Sequence, residues 1–357
     1  MVHLWVRAEQ RPAEQRVGIT PEGVSALLNA GFKVTVEDSA ARAIPISAYQ
    51  TTGCDIAAAG SWQTAPDDVI VFGLKELDPN GPDLRHRHIM FGHAYKGQAD
   101  GPDLLRRFKN GGGALYDLEY LTEPSGRRVA AFGYWAGFAG AAVGLKVWAA
   151  QQAGAAPGPD RIGVYAGRDA LLAELQRELD HAMSGGASQP DMIVIGALGR
   201  VGSGACDLAA ALGLPVTKWD MAETASGGPF PEILNHSLFV NCILASPDVP
   251  VFVPKTAPDE PRKLSVIADV SCDPSSPYNP IPVYSESSTF DAPVTRVTQG
   301  PPPLDVTAID NLPSMLPVES STDYAAQLLP SLLSLNSTDN GVWARARQLF
   351  DTHVAQV

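Results

Sequence analysis

Short apolar runs alternate with stretches of helical spacing along most of this chain. Residues 2–7 alternate toward a first strand. Thr20-Pro21 then starts a helix, a hydroxyl N-cap followed by proline in the first turn, with Val24, Leu27 and Leu28 on one face and Gly31 at the end. Strands are predicted at 32–37, 69–74, 88–92 and 114–118, a short helix and strand within 47–59, and a helix at 104–109 stopped by the glycines at 111–113. Strand and helix alternate throughout residues 1–120, which is the pattern of a parallel sheet.

The second half repeats the pattern. Residues 132–148 form a run of small residues, predicted as a closely packed helix between a first and a second domain. A loop follows at 151–163. Leu171, Leu172, Leu175, Leu179 and Met183 then line one face of a helix over 170–183. Strands are predicted at 192–195, 216–219, 238–243, 264–268 and 294–297. Residues 254–261 read as a charged loop, and 272–282, rich in Pro, Ser and Asn, as a loop over a ligand cleft. Helices close the chain at 321–334 and 340–353. The economical place for the last of them is the first domain. The expected organisation is therefore α/β, two Rossmann-like domains with parallel sheets and a cleft between them. One domain comprises 1–131 plus 318–357 and the other 132–317, with hinges near 132–137 and 313–317.

The run at 192–195 ends in Gly196-Ala-Leu-Gly199-Arg200-Val201-Gly202, and a helical pattern of Ala205, Leu208, Ala209 and Leu212 follows. Strand, glycine turn and helix open a nucleotide-binding βαβ unit, in which backbone approaches a pyrophosphate at a helix N-terminus. The next strand ends in Asp220, near the spacing of roughly 20 residues expected for a carboxylate on the adenosine ribose. The glycines are spaced GxxGxxG rather than GxGxxG. The alternative is a glycine-rich turn in a sheet protein with no ligand; strand, helix and acidic residue together favour cofactor binding.

Composition narrows the function. The chain has 357 residues, a formal net charge of −13 and a pI near 4.9. No basic surplus is present to neutralise phosphates, so neither nucleic acid nor an acidic membrane is an expected partner. Cys54, Cys206, Cys242 and Cys272 are far apart with no CxxC pair, which reads as reduced thiols and not as a disulfide framework or a metal site. The first residues lack a signal-peptide layout and the longest bland run is too short to span a bilayer, so a cytoplasmic protein is expected.

Three strand ends in the first sheet carry Lys75-Glu76, His93 and Glu119. Ligands of open parallel sheets bind beyond the carboxyl ends of the strands, so a polar cluster at successive ends marks a site. Lys75-Glu76 alone would read as a solvated loop.

Longer blocks are identified with a family. Glu14-Gln-Arg16-Val-Gly-Ile-Thr20-Pro21 resembles the signature shared by alanine dehydrogenases and the transhydrogenase α subunit. Gly73-Leu-Lys75-Glu76, Gly92-His93-Ala-Tyr-Lys96, Tyr116-Asp-Leu-Glu119, Arg127-Arg128-Val-Ala-Ala-Phe-Gly133, Lys218-Trp-Asp220, Gly227-Gly-Pro-Phe230 and Asp310-Asn-Leu312-Pro-Ser314 resemble the NAD-dependent, lysine-forming saccharopine dehydrogenases. The resemblance spans nearly the whole chain. It departs at Val201, where fungal members carry cysteine, and at Ser226, where a basic residue stands near the adenosine end.

The resemblance implies oxidation of saccharopine by NAD to an imine, then hydrolysis to lysine and 2-oxoglutarate. It implies Lys75 as the group that takes the proton of the secondary amine and His93 as the acid/base for water, a role that suits histidine. Glu76 and Glu119 would tune the lysine and bind the substrate ammonium. Arg16 and Arg128 would pair with substrate carboxylates. Gly196, Gly199, Arg200, Val201, Gly202, Asp220, Asp310 and Leu312 would hold NAD, with Asp220 disfavouring a 2′-phosphate. Alternatives stay open. Arg16 could cap a local carboxylate, His93 could be structural, Lys96 could be the base, and Arg127 could replace Arg128. The scaffold would also suit a related amino-acid or opine-type dehydrogenase, or a non-catalytic NAD(H)-binding protein, although the latter need not keep Lys75, His93 and Glu119. The expected state is a monomer or small homo-oligomer.

Overall fold

The structure is a computed structural model that describes residues 1–11, 14–155 and 157–357. Ala156, inside the loop read at 151–163, lies outside the described residues. The elements run β1 (His3–Val6), α1 (Pro21–Asn29), β2 (Lys33–Glu37), α2 (Ile46–Gln50), β3 (Asp55–Ala57), β4 (Ile70–Phe72), β5 (Arg87–Met90), α3 (Gly101–Gly111) and β6 (Ala114–Asp117). They continue with α4 (Gly133–Gln152), α5 (Arg168–Ser184), β7 (Met192–Ile195), α6 (Arg200–Ala211), β8 (Val216–Trp219), α7 (Met221–Thr224), β9 (Leu238–Asn241), β10 (Val266–Asp269), β11 (Thr295–Thr298), β12 (Leu304–Thr307), α8 (Pro317–Leu332) and α9 (Gly341–Val354). The chain divides into two compact units, Met1–Ala131 with Pro317–Val357, and Phe132–Leu316.

The first unit is built on a wholly parallel sheet of order β3-β2-β1-β4-β5-β6. Val6 of β1 faces Val36 on one side and Phe72 on the other, so the order of addition reverses between β1 and β4. That reversal opens a crevice at the carboxyl ends of the two strands. Thr20 caps α1 as its sequence predicts, accepting the Gly23 N–H at 3.4 Å. The C-terminal helices complete this unit's core. Trp343 of α9 meets Tyr116 edge-on at 5.5 Å, and Phe350 meets Phe108 at 5.6 Å.

The second unit carries a sheet of order β11-β12-β10-β9-β7-β8, parallel except that β11 runs antiparallel to β12 at the edge. The strand expected at 294–297 is this edge strand, displaced by one residue. Its neighbour β12 was not expected from the sequence. Prolines 301–303 precede it, and Asp305 in its middle reads as a surface residue. Asp305 is fully buried, held by the guanidinium of Arg296 and by Gln151 Nε2 at 2.6 Å. A buried carboxylate survives there because both partners satisfy it.

Helix α4 is buried continuously from Gly137 to Ala149. It has no polar stripe because it is surrounded on all sides. Lys146 interrupts its apolar surface and is neutralised by Glu174 and Glu178 of α5, the latter at 2.6 Å. Where α4 crosses α6 the backbones nearly touch: a Cβ on Gly137 would stand 1.8 Å from the Val201 carbonyl oxygen. No helix among the described residues is long and apolar enough to cross a membrane.

Gly137→Ala therefore forces α4 and α6 apart. The expected cost is about 1–3 kcal/mol, read as a lower urea midpoint at unchanged slope. An unchanged midpoint would show that the crossing has slack.

Candidate functional site

In the first unit, β1 and β4 end side by side, and the polar residues just beyond them are fixed through backbone. Glu9 Oε1 accepts the Leu74 N–H at 2.6 Å and Glu9 Oε2 accepts the Lys75 N–H at 2.9 Å. Arg7, fully buried, pairs with Glu9 at 3.3 Å and donates to the Lys75 carbonyl. Both peptide groups of Lys75 are thus held before its side chain does anything.

The Lys75 ammonium sits among charges. Burial is the largest influence on it, followed by the cation of Arg16, and both lower its pKa. Glu14 and Glu76 oppose them, and Arg11 adds to them. The net result is a lysine below its ordinary range. Arg16 forms a two-point pair with Glu14, Nε–Oε1 at 2.8 Å and Nη2–Oε2 at 2.7 Å, with both side chains buried. Burial pushes the Glu14 carboxyl up, but the bonds and charge of Arg16 outweigh it and hold it below its ordinary value. Arg16 does cap a local carboxylate, one of the two readings its sequence allowed.

Glu76 and His93 come together: both line one cavity of ≈ 240 Å³, with Leu77, Gly92, Leu104 and Arg107. Arg11 lies 3.8 Å from Glu76. His93 is exposed, has φ of 50°, and stacks on Phe91 at 6.3 Å. A positive φ at a residue with a side chain is strained and needs holding from outside. Lys96 bonds Glu119 at 2.6 Å, and that bond raises its pKa. Lys75 and Lys96 are thus driven in opposite directions. Arg127 pairs with Glu123 at 3.3 Å, whereas Arg128 is exposed and its charge reaches Lys96 and Tyr324.

In the second unit the glycine turn lies between β7 and α6. Gly196 has φ of 84°, and a Cβ there would lie 2.7 Å from Ile243 just beyond β9. A Cβ on Gly202 would lie 2.1 Å from the Gly196 carbonyl oxygen. No side chain caps α6: Gly199 is its N-cap, and Arg200 and Val201 take the first positions. Asp220 accepts the N–H of Leu198 at 2.9 Å and of Met221 at 2.9 Å, tying the turn to the end of β8. An uncapped helix N-terminus behind a turn that has no room for a Cβ at Gly196 or Gly202 fits a dinucleotide pyrophosphate. β7 lies between β8 and β9, so the turn sits where this sheet's strand order reverses. Asp310 is exposed and accepts the Asn311 N–H at 2.8 Å. The Leu312 side chain is buried in the unit's core.

The sequence reading passed over Arg7, Glu9, Glu14 and Asp117. Strand-end reasoning applied to β1, as it was to the three later strands, would have reached Arg7 and Glu9.

Comparison with known proteins is consistent across the chain. Residues 5–139 match the alanine dehydrogenase/PNT N-terminal domain family. The chain is 46% identical over 374 residues to the saccharopine dehydrogenase [NAD(+), L-lysine-forming] of Candida albicans, covering 100% of this chain and 98% of that one. It is 46% identical over 367 residues to the protein of the same name from Yarrowia lipolytica, with 100% and 98% covered. An L-alanine dehydrogenase structure superposes with a TM-score of 0.68 at 17% identity over 99% of this chain and 100% of that one, a likeness of fold.

Glu9→Gln leaves one of two buried N–H groups without an acceptor and removes the counter-ion of Arg7. Breaking such a pair costs about 3–5 kcal/mol, measurable by urea unfolding. A loss under about 1 kcal/mol would be that of an ordinary exposed ion pair and would mean that Glu9 does not hold the Lys75 peptides.

Proposed function

The chain belongs to the NAD(+)-dependent, L-lysine-forming saccharopine dehydrogenases, and from that premise we propose that it oxidises saccharopine to an imine and hydrolyses the imine to L-lysine and 2-oxoglutarate. The observation that carries the chemical assignment is the placement of Lys75, half-buried at the end of β4 with its peptide groups held by Glu9 and Arg7. Removing a hydride from the C–N carbon requires the secondary amine to be free of its proton. A half-buried Lys75, held down by Arg16, is the amine best suited to accept it, and the raised Lys96 is the worse choice.

NAD, when bound at the glycine turn of the second unit, supplies the hydride acceptor; Gly196, Gly199, Arg200, Val201, Gly202, Asp220, Asp310 and the backbone of Leu312 are the groups we assign to it. The remaining steps are proton transfers. Water must reach the imine, and His93 is exposed where Lys75 is half-buried. Glu76 shares the His93 cavity, and its Oε2 is buried with no donor among the described residues, which suits a substrate ammonium. Glu119 is assigned the same work, with Lys96 beside it. Two donors of Arg16 are engaged by Glu14, so Arg128 is the better placed of the two to clasp a substrate carboxylate.

The test is NADH absorbance with lysine and 2-oxoglutarate together, with alanine/pyruvate and NADPH as controls. NADH consumption only with both true substrates is expected. NADH binding without consumption would move the substrate elsewhere on the same scaffold. Lys75→Met and His93→Gln should each lower turnover by roughly 10²–10⁴ and leave NADH binding intact. Lys75→Met should also keep or raise thermal stability at neutral pH. The fold disfavours the charged lysine, so wild-type stability increases as pH rises from the lowered folded pKa toward the unfolded one, and methionine removes that penalty. Normal turnover in both variants would overturn the assignment.

A further inference from the structure

We propose that Asp117 is a positioning residue that sets the His93 and Glu119 loops against each other, its single carboxylate accepting one backbone N–H from each. This rests on the reading of His93 as the second acid/base group. Asp117 ends β6 and is 1% exposed. Its Oδ2 accepts the Gly92 N–H at 3.2 Å and its Oδ1 accepts the Glu119 N–H at 2.9 Å. Gly92 immediately precedes His93, the residue with φ of 50°. The approach is close: a Cβ on Gly92 would lie 3.1 Å from Asp117 Oδ2 and 2.5 Å from Leu115 Cδ2. The strained His93 backbone therefore has a fixed anchor one residue away, and the anchor is shared with the other loop.

The rest of the surroundings explain why this anchor can respond to protons. Glu119 and Tyr120 follow Asp117 on its own segment, Tyr95 and Lys96 face it from the loop after β5, and Tyr324 faces it from α8. No cation forms an ion pair with it among the described residues. Burial pushes the carboxyl up, the two N–H bonds pull it down, Glu119 raises it and Lys96 lowers it, leaving it at about 7. Ionised, the carboxylate accepts both N–H groups fully. Protonated, one oxygen becomes a hydroxyl and a weaker acceptor, so one of the two loops loosens. A shift of about 1 Å in a reacting group can cost on the order of a hundredfold in rate, so the state of Asp117 sets how well His93 is aimed.

Two measurements test this on the full chain. In wild-type protein followed by ¹H–¹⁵N spectroscopy, the amides of Gly92 and Glu119 should titrate together with one midpoint near pH 7. Both should lose that titration in Asp117→Asn. The same variant should lose about tenfold to a hundredfold in kcat with lysine, 2-oxoglutarate and NADH. Its KM for NADH should be unchanged, and the inflection near pH 7 should be missing from its rate profile. Separate midpoints for the two amides in the wild type would overturn the proposal, and that arm needs no variant to fold. Wild-type kcat in Asp117→Asn, or a lowered kcat with an unaltered pH profile, would also overturn it. If the wild type fails to consume NADH with lysine and 2-oxoglutarate while the two amides still titrate together, the reaction assigned above falls and the coupling of the loops stands.

Discussion

Carboxylates at the carboxyl ends of parallel strands, bonded to backbone N–H groups, hold the loops that carry Lys75, His93, Glu119 and the glycine turn. Parallel pairing stops at the strand end, and the first N–H groups beyond it need acceptors if they are buried. Glu9 beyond β1 takes those of Leu74 and Lys75. Glu37 at the end of β2 takes those of Ala8, Gly60 and Trp62 at 2.9, 2.8 and 2.6 Å. Asp117 joins Gly92 to Glu119, Asp220 joins Leu198 to Met221, and Asp269 takes that of Ser271 at 3.1 Å. Charge-assisted bonds of this kind are the strong ones, and each reaches the backbone while leaving neighbouring side chains available for chemistry.

The same economy explains how an acidic chain makes a basic spot. The net charge of −13 belongs to the whole molecule. Around Lys75 the balance is local: Glu14 is matched by Arg16 and Glu9 by Arg7, while Arg11 approaches Glu76. With the carboxylates matched, burial and the nearby guanidinium dominate, and the lysine goes down. At the end of β6 the balance tips the other way. Burial pushes the Asp117 carboxyl up, its two backbone bonds only partly oppose that, and no ion pair among the described residues offsets the rest. A lysine lowered in this way suits proton transfer near neutral pH, whereas the raised carboxyl of Asp117 acts on the two backbone N–H groups that it holds.

The sequence shows much of this and hides the rest for identifiable reasons. Both sheets were legible because a parallel strand buried on both faces reads as an unbroken apolar run, as in 69–74 and 192–195. Lys75, Glu76, His93 and Glu119 were legible because they break such runs at their ends. Strand β12 was not, because a buried aspartate at its centre looks like surface until Arg296 and Gln151 are seen against it. Glu37 and Asp117 were illegible as supports for a related reason. Their partners are backbone N–H groups, which every residue but proline carries, so no residue pattern announces them. Leu312 shows the opposite difficulty. A block of residues that resembles a family motif does not say which side chains face the ligand, and this one packs into the core.

The glycine turn shows how spacing and geometry divide the evidence. In a GxGxxG turn the second glycine would fall at 198, which here is Leu198, 83% exposed. The structure explains why that is tolerated. The crowded places are 196 and 202, where a Cβ would lie 2.7 Å from Ile243 and 2.1 Å from the Gly196 oxygen, whereas at Gly199 the nearest atom would be 3.3 Å away. The side chain at 198 points into open space while its N–H is held by Asp220. The requirement for glycine is therefore strictest at 196 and 202, where the helix N-terminus closes on the end of β7, and milder at 199. A turn of this kind is recognised by which positions lack room for a Cβ, and the count of residues between glycines follows from how the loop travels from one crowded point to the next.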